Sequence, residues 1–427
     1  MLPAAPDAEP AAIRQRWPDG IDLLIVDHYG RGAAFERACR PWAKRIAVID
    51  DLAGSEHDAD VLLNPAAPSA DLYRGLVPPT CKLLLGPEYS IVHPRFRKAR
   101  VRALGRRNVG AVRRILLSFG QADATNAVMT ALAALAAVKF ESEINVVLGR
   151  ASSQLSTIEA AAAGRAKVSV DVSDMAALMT DADLAIGGGG VTAWERCCLG
   201  LPSILVTLAD NQRGVVATIV KAGAGIDAGS AAPGLERRLT QALELLLSDG
   251  SRLLALAKAG AALVDGRGRE RVLLALVGPI SNRRGQAVEL RLAEPKDEEW
   301  LLALQSRPET RRHANDPSVP SANAHWQWFA QTLSSLDRLL MIIEVEGARA
   351  GMLRLDRGAA TDRISIAVDP DYHRRGIGAA SLALATRVSP GRPLEAEVLP
   401  ENRASMALFA EAGFRKVDSN LFRREPE

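Results

Sequence analysis

Residues 183–212 read DLAIGGGGVTAWERCCLGLPSILVTLADNQ, and the fold of the first two-thirds of the chain turns on them. Asp183–Ile186 reads as a short buried strand, Gly187–Gly190 as an unbroken glycine run, and Val191–Leu199 as a helix. Glycine loses more backbone freedom on folding than any other residue, so four in a row belong at a sharp bend or where a ligand lies against bare backbone. Between a strand and a helix start they leave free N–H groups and a positive dipole end, which suits a phosphate. Glu195 falls about one turn into the helix, where a carboxylate can accept hydrogen bonds from two ribose hydroxyls. Pro202–Thr207 is a second buried strand, with Asn211 and Gln212 just past its end, on the edge where open α/β sheets bind ligands. A tight turn that only packs a helix on a sheet is the alternative. The convergence of Glu195, Asn211 and Gln212 on the loop favours a nucleotide site.

Working outward, Ile21–Asp27, Arg45–Asp50, Asp60–Asn64 and Cys81–Gly86 are short apolar runs of the kind that form buried parallel strands. Helices are expected over Phe35–Lys44 and the basic stretch Arg95–Arg107. A fresh α/β unit opens after Val112 with RRILLSFG. It continues through helix Asn126–Val138, strand Glu143–Leu148, helix Ser153–Ala163, strand Lys167–Asp171 and helix Asp174–Thr180, and closes with helices Leu235–Leu247 and Leu253–Val264. Strands alternating with helices predict α/β architecture with a mostly parallel sheet. The expected divisions are lobes over 1–110 and 111–277, a polar linker over 278–287, and a third domain over 288–427.

At 427 residues the chain has ample length for several cores, and its net charge of +3 is small and scattered. The basic run 95–107 has no aromatic stacking partners nearby, which argues for a solvated helix face and against a nucleic-acid partner. Cys39, Cys81, Cys197 and Cys198 have no zinc-type spacing, so packed thiols in a reducing, cytoplasmic setting are expected, with no metal. No apolar run approaches the ~20 residues of a membrane span, and MLPAAPDAEP lacks the order of a signal peptide.

Beyond the linker the pattern changes. Val288–Leu292, Leu339–Glu346, Arg349–Leu355 and Asp362–Val368 read as sheet strands, with helices near Lys296–Leu304 and Ala324–Leu333. Val368–Ala380 reads VDPDYHRRGIGAA: a strand end, then His373, Arg374, Arg375, Gly376, Ile377 and Gly378 leading into helix Ala379–Arg387. Its two glycines let backbone amides approach a pyrophosphate at a helix N-terminus. Strand Leu394–Val398 follows, then Asn402, Ser405 and helix Ala404–Ala412 ending in Gly413-Phe414. This pair of segments resembles the GCN5-related N-acetyltransferases over about 288–424. The resemblance implies an α+β domain that uses acetyl-CoA as co-substrate, with Val368, His373, Arg374, Arg375, Gly376, Ile377, Gly378, Ala379, Asn402, Ser405 and Phe409 at the acetyl-CoA site. Where the family often has Tyr as acid for the departing thiolate, this chain has Phe409, and His373 stands where Arg or Gln is usual. Arg311–Trp328 places His313, Asn315, His325, Trp326 and Trp328 toward the expected acceptor side, where aromatic faces and amides suit a sugar nucleotide. The alternative is that Trp326 and Trp328 pack a helix.

DHYG at 27–30, RPWAKRIAVIDDL at 40–52, SFGQAD at 118–123 and the glycine-run segment resemble the UDP-2,4-diacetamido-2,4,6-trideoxy-β-L-altropyranose hydrolases of pseudaminic acid biosynthesis, relatives of GT-B glycosyltransferases. That resemblance, over about 20–276, implies two Rossmann-like lobes with UDP held mainly by the second. It places Gly188, Gly189, Gly190 and Thr192 at the diphosphate, Glu195 at the ribose, Asn211 and Gln212 by the diphosphate or sugar, and Ser118 and Gly120 at the cleft. It also implies a partner reaction, in which acetylation of a UDP-linked amino sugar precedes hydrolysis of the UDP-acetamido sugar. Family members begin with a strand and a glycine loop bearing a His, the base that activates water. Here the chain reaches DLLIVDHYG by residue 22, so the first lobe is expected to be N-terminally truncated, with the true start upstream of Met1. Three readings stand: a bifunctional hydrolase–acetyltransferase, an acetyltransferase whose UDP lobes only bind, and a glycosyltransferase.

Overall fold

The computed structural model describes residues 8–107, 111–120, 126–150, 152, 154–314 and 316–426. The chain divides into two compact units, Met1–Val272 and Leu273–Glu427.

The first unit holds two parallel sheets. The smaller joins β1 (Leu24–Val26), β2 (Ile46–Ile49), β3 (Val61–Asn64) and β4 (Lys82–Leu85) in that order. The larger contains β5 (Arg114–Ser118), β6 (Glu143–Leu148), β7 (Lys167–Val170), β8 (Leu184–Gly188), β9 (Ser203–Thr207) and β10 (Ile226–Ser230), in the order β10-β9-β8-β5-β6-β7. All pairings in both sheets are parallel. Continuous apolar runs make these strands because helices cover both faces, so neither face needs polar residues. On one face Ile115, Leu117 and Ile186 pack with Leu135 and Leu243, and on the other Leu116, Ala185 and Leu205 pack with Phe96, Trp194 and Cys197.

The second unit is one mixed sheet: β11 (Ile280–Ser281), β12 (Ala287–Leu292), β13 (Arg338–Val345), β14 (Ala348–Arg357), β15 (Asp362–Val368), β16 (Leu394–Glu397), β17 (Arg415–Lys416) and β18 (Leu421–Arg424). Only β15 and β16 pair in parallel. The segment expected as a linker is part of this sheet, because Ile280 and Ser281 pair with Val288 and Ala287. The turn between them is closed by Asn282, whose side-chain oxygen accepts from the Arg284 and Gln286 amides. Its polar, glycine-bearing sequence marks a hairpin turn where a free tether was expected.

Among the described residues, no helix is long and apolar enough to cross a membrane. All four cysteines are free thiols, and burial pushes Cys197 up to about 12.

Candidate functional site

In the first unit the glycine run starts inside the strand. Gly187 pairs with Ser118 and Leu205, and Gly188 with Val206, so half of the expected loop belongs to β8. None of these four glycines has positive φ. Gly187 and Gly189 are required by close approach. A Cβ on Gly187 would overlap the Ser118 carbonyl oxygen and lie 2.8 Å from Arg196 Nη1, and one on Gly189 would overlap Val216 Cγ2. Only Gly190 faces open space, its nearest neighbour being Gln212 Nε2 at 3.8 Å. It is the N-cap of helix Val191–Cys198, where the Ala193 amide donates to the Gly190 carbonyl at 2.9 Å and the Val191 and Thr192 amides have no partner within the helix.

Two expected contributions change. The Gly189 N–H donates to Gln212 Oε1 at 3.1 Å, and the Leu208 N–H donates to the same oxygen at 3.1 Å. Gln212 therefore ties the glycine run to the loop after β9, and the Gly189 amide is used internally. Among the described residues, the amides of Gly190, Val191 and Thr192 have no hydrogen-bond acceptor and remain for an anion. Glu195 is mostly buried, its carboxyl accepts no hydrogen bond among the described residues, and burial pushes that carboxyl up to about 7, which the nearby Arg196 and Arg95 charges oppose. Arg196 is 1% exposed beneath the run, donating from Nη2 to the Gly188 carbonyl at 2.5 Å.

Asn211 reaches across to the smaller sheet. Its Nδ2 donates to the Tyr29 hydroxyl at 2.9 Å and to Asp51 Oδ2 at 3.3 Å, while Tyr29 donates to the same Asp51 oxygen at 3.1 Å. The other Asp51 oxygen is buried without a partner among the described residues. Tyr29 and Asp51 stand past the ends of β1 and β2, and through Asn211 they join the strand ends of the smaller sheet to the loop after β9. The sequence reading gave neither a site role. Their position just after β1 and β2 is the signal that could have found them. His28, their neighbour, uses Nδ1 to accept from the Gly30 amide at 2.9 Å. Ser118 is buried in β5 with its carbonyl against Gly187. Gly120 has φ +99° beside open space, and Gln121–Asp123 of the SFGQAD motif lie outside the described residues.

In the second unit β15 and β16 pair only at Asp362–Leu394 and Arg363–Glu395. Beyond that the strands part, and the gap opens on a cavity of about 720 Å³ lined by Val368, Gly376, Gly378, Ala379, Asn402 and Ser405. His373, Arg374 and Ile377 also border it. The loop is shaped for bare backbone: Arg374 and Gly376 are left-handed, with φ +60° and +79°. A Cβ on Gly376 would lie 2.8 Å from Arg283 Cγ, and one on Gly378 2.9 Å from Leu408 Cδ2. Left-handed residues next to a helix start form an amide nest for an anion. These features fit a pyrophosphate of coenzyme A. Gly376→Ala is therefore expected to weaken acetyl-CoA binding at least tenfold by calorimetry, because an alanine there is strained and displaces Arg283.

Several side chains are engaged within the fold. His373 Nε2 lies 3.0 Å from the Val368 carbonyl, and Arg375 donates to the Asp371 carbonyl and covers the Tyr372 ring at 5.0 Å. Asn402 caps helix Arg403–Glu411 by accepting from the Ser405 amide at 3.0 Å. Phe409 is buried edge-on against Phe414 and borders a second cavity of about 520 Å³. His313, Ile366, Ala367, Asn402 and Ser405 line both cavities, so the two meet at the strand gap. His325 and Trp328 line the second cavity, Trp326 is 54% exposed, and Asn315 lies outside the described residues.

Known proteins carry the same two parts. Residues 118–267 match the glycosyltransferase family 28 C-terminal domain, and residues 287–415 match the acetyltransferase (GNAT) domain. The spore coat polysaccharide biosynthesis protein SpsG of Bacillus subtilis is 30% identical over 259 residues, which span 59% of this chain and 75% of that protein. The chain belongs to the SpsG family. It is a family 28-type, GT-B-like α/β unit fused to an acetyltransferase domain with a mixed sheet. The SpsG-type part is also 28% identical over 200 residues to protein MJ1062 of Methanocaldococcus jannaschii, covering 45% of this chain and 41% of that one. Among solved structures, MurG of Acinetobacter baumannii aligns with 62% of this chain and 75% of its own, at 15% identity and TM-score 0.45.

Proposed function

We propose that both units act on one UDP-linked amino sugar. Leu273–Glu427 transfers acetyl from acetyl-CoA to the sugar's amine, and Met1–Val272 then releases UDP by hydrolysis of the acetamido product, in the manner of pseudaminic acid biosynthesis. The observation that carries the reading is Glu195: a carboxyl with no hydrogen-bond partner among the described residues, one turn into a helix whose Val191 and Thr192 amides follow a glycine strand. A ribose donates two hydroxyls to such a group while its diphosphate meets the helix start. The SpsG relative's role in polysaccharide biosynthesis supports sugar chemistry. For hydrolysis, Asp51 supplies a carboxylate beside Tyr29 and Asn211, one oxygen of which has no partner among the described residues. It would take the proton of a water that bonds to the anomeric carbon as the bond to the UDP oxygen breaks.

One observation favours a second reading, binding without cleavage. Each histidine of the first unit is already engaged: His28 with the Gly30 amide, His57 with Glu36 at 2.7 Å, and His93 with the Arg95 amide. Incubating the purified chain with a UDP-linked 4-amino-4,6-dideoxy sugar separates the readings. The proposal expects coenzyme A thiol release with acetyl-CoA present, followed by UDP release. Acetylation with no UDP release selects binding alone. UDP release only on adding an acceptor sugar selects glycosyl transfer.

A further inference from the structure

The second cavity of the acetyltransferase unit holds an unexplained group. His325, on helix Ala322–Ser334, lines that cavity and is 3% exposed, yet among the described residues neither ring nitrogen has a hydrogen-bond partner. Buried polar atoms in native proteins are nearly always paired, so an orphaned imidazole at a cavity wall points to something the cavity receives. The ring is fixed by packing, with Phe329 stacked on it at 6.2 Å and Trp328 tilted against it at 5.4 Å. The same cavity opens through Ile366, Ala367, Asn402 and Ser405 into the one fitted to coenzyme A.

We propose that His325 is the proton acceptor for the amine that attacks acetyl-CoA, and that this cavity is the amine's site. The inference rests on the acetyl-transfer half of the proposed function. Burial holds the imidazole below its usual pKa, opposed by Glu298, so it is neutral and can accept a proton at pH 7. Rival bases are weaker. Asp316 is held below the usual carboxylate range by hydrogen bonds from Ser318, and Glu397 is exposed, 3.9 Å from Arg363 and accepting from Asn420. The remaining charged groups around the cavity are Arg311, Arg354, Arg363 and His313. Among the described residues the buried Nε atoms of Arg311 and Arg354 also lack partners, and the guanidinium charges of these two lining residues suit an amine that carries its own anionic group.

His325 takes one proton from the substrate ammonium, and the amine lone pair forms the C–N bond to the thioester carbonyl carbon. The C–S bond breaks with its electron pair on sulfur. The excess proton on nitrogen passes to that thiolate, and the proton on His325 leaves to water after product release.

The test measures thiol release by the full chain from pH 5.5 to 9.5 with three amine probes: the UDP-linked 4-amino sugar, the free 4-amino sugar and a simple alkylamine. His325→Gln keeps size and polarity but accepts no proton. Its kcat should fall about 100-fold or more, with acetyl-CoA affinity and melting temperature unchanged and the acid limb of kcat/KM lost. His325→Ala should recover activity on adding imidazole. The choice of amine tests the sugar-nucleotide reading, whereas the His325 variants test the base on whichever amine is used. A His325→Gln enzyme within threefold of wild type, or an acid limb removed by His313→Gln instead, overturns the proposal. Turnover of no probe by wild type overturns both readings.

Discussion

Gly187→Ala should abolish UDP binding and destabilise the first unit by about 3 kcal/mol or more, whereas Gly190→Ala, three residues on, should leave stability within about 1 kcal/mol of wild type. The two glycines differ in what surrounds them. The Gly187 position is enclosed by the Ser118 carbonyl and the Arg196 guanidinium, the backbone of a neighbouring strand and a fully buried side chain, neither of which can yield. A methyl there forces β8 away from β5 and breaks the contact that holds Arg196 against the Gly188 carbonyl. At Gly190 the methyl meets nothing closer than 3.8 Å. What Gly190→Ala should lose is ligand affinity alone, because its methyl projects where a phosphate would meet the helix start. Differential scanning calorimetry and UDP titration on both variants check this. Equal stability losses at both sites would show that the run serves only as a turn.

Glu195→Gln should produce opposite effects on stability and on binding. The carboxyl is pushed up to about 7 by burial, above its unfolded 4.5. Its contribution to stability is thus fully present below pH 4.5 and is lost as pH rises through about 7. Glutamine is neutral throughout, so the variant should melt with wild type at pH 4.5 and exceed it at pH 8 by on the order of 2 kcal/mol, allowing for partial exposure. UDP affinity should fall about tenfold or more at pH 8, because ribose hydroxyls donate more strongly to a carboxylate than to an amide. In wild type, UDP affinity should itself rise from pH 5.5 to 8 as binding draws the group into its ionised form. A variant that is less stable at pH 8, yet binds UDP normally, would assign Glu195 to the scaffold.

Long periodic elements were the legible part of this chain. Glu143–Leu148 and Asp362–Val368 form strands with the bounds their apolar patterns predict. Helix Arg213–Lys221 escaped notice because RGVVATIVK is rich in β-branched residues that favour strands. Burial of Val215, Val216 and Ile219 overrides that preference. β10 was missed for the reverse reason: IDAGS carries a glycine and a register shift, and leaves almost no apolar alternation. At the site, local signals located the glycine run, Glu195 and the Arg374–Gly378 loop. They could not show that Gln212 would consume the Gly189 amide, or that Asn211 would bond to Tyr29 and Asp51 more than 150 positions away. Such contacts depend on how two sheets face one another, which no local pattern carries.

Acetylation followed by UDP release on one sugar nucleotide can be followed in a single time course. The full chain is incubated with a UDP-linked 4-amino sugar and acetyl-CoA in ¹⁸O-water, and nucleotides are followed by mass spectrometry. An acetylated UDP-sugar should appear first, and UDP should follow in amounts equal to the acetylated species consumed, carrying no heavy oxygen because the sugar–oxygen bond is the one that breaks. Heavy oxygen in the UDP, or UDP formed at the same rate without acetyl-CoA, would contradict it.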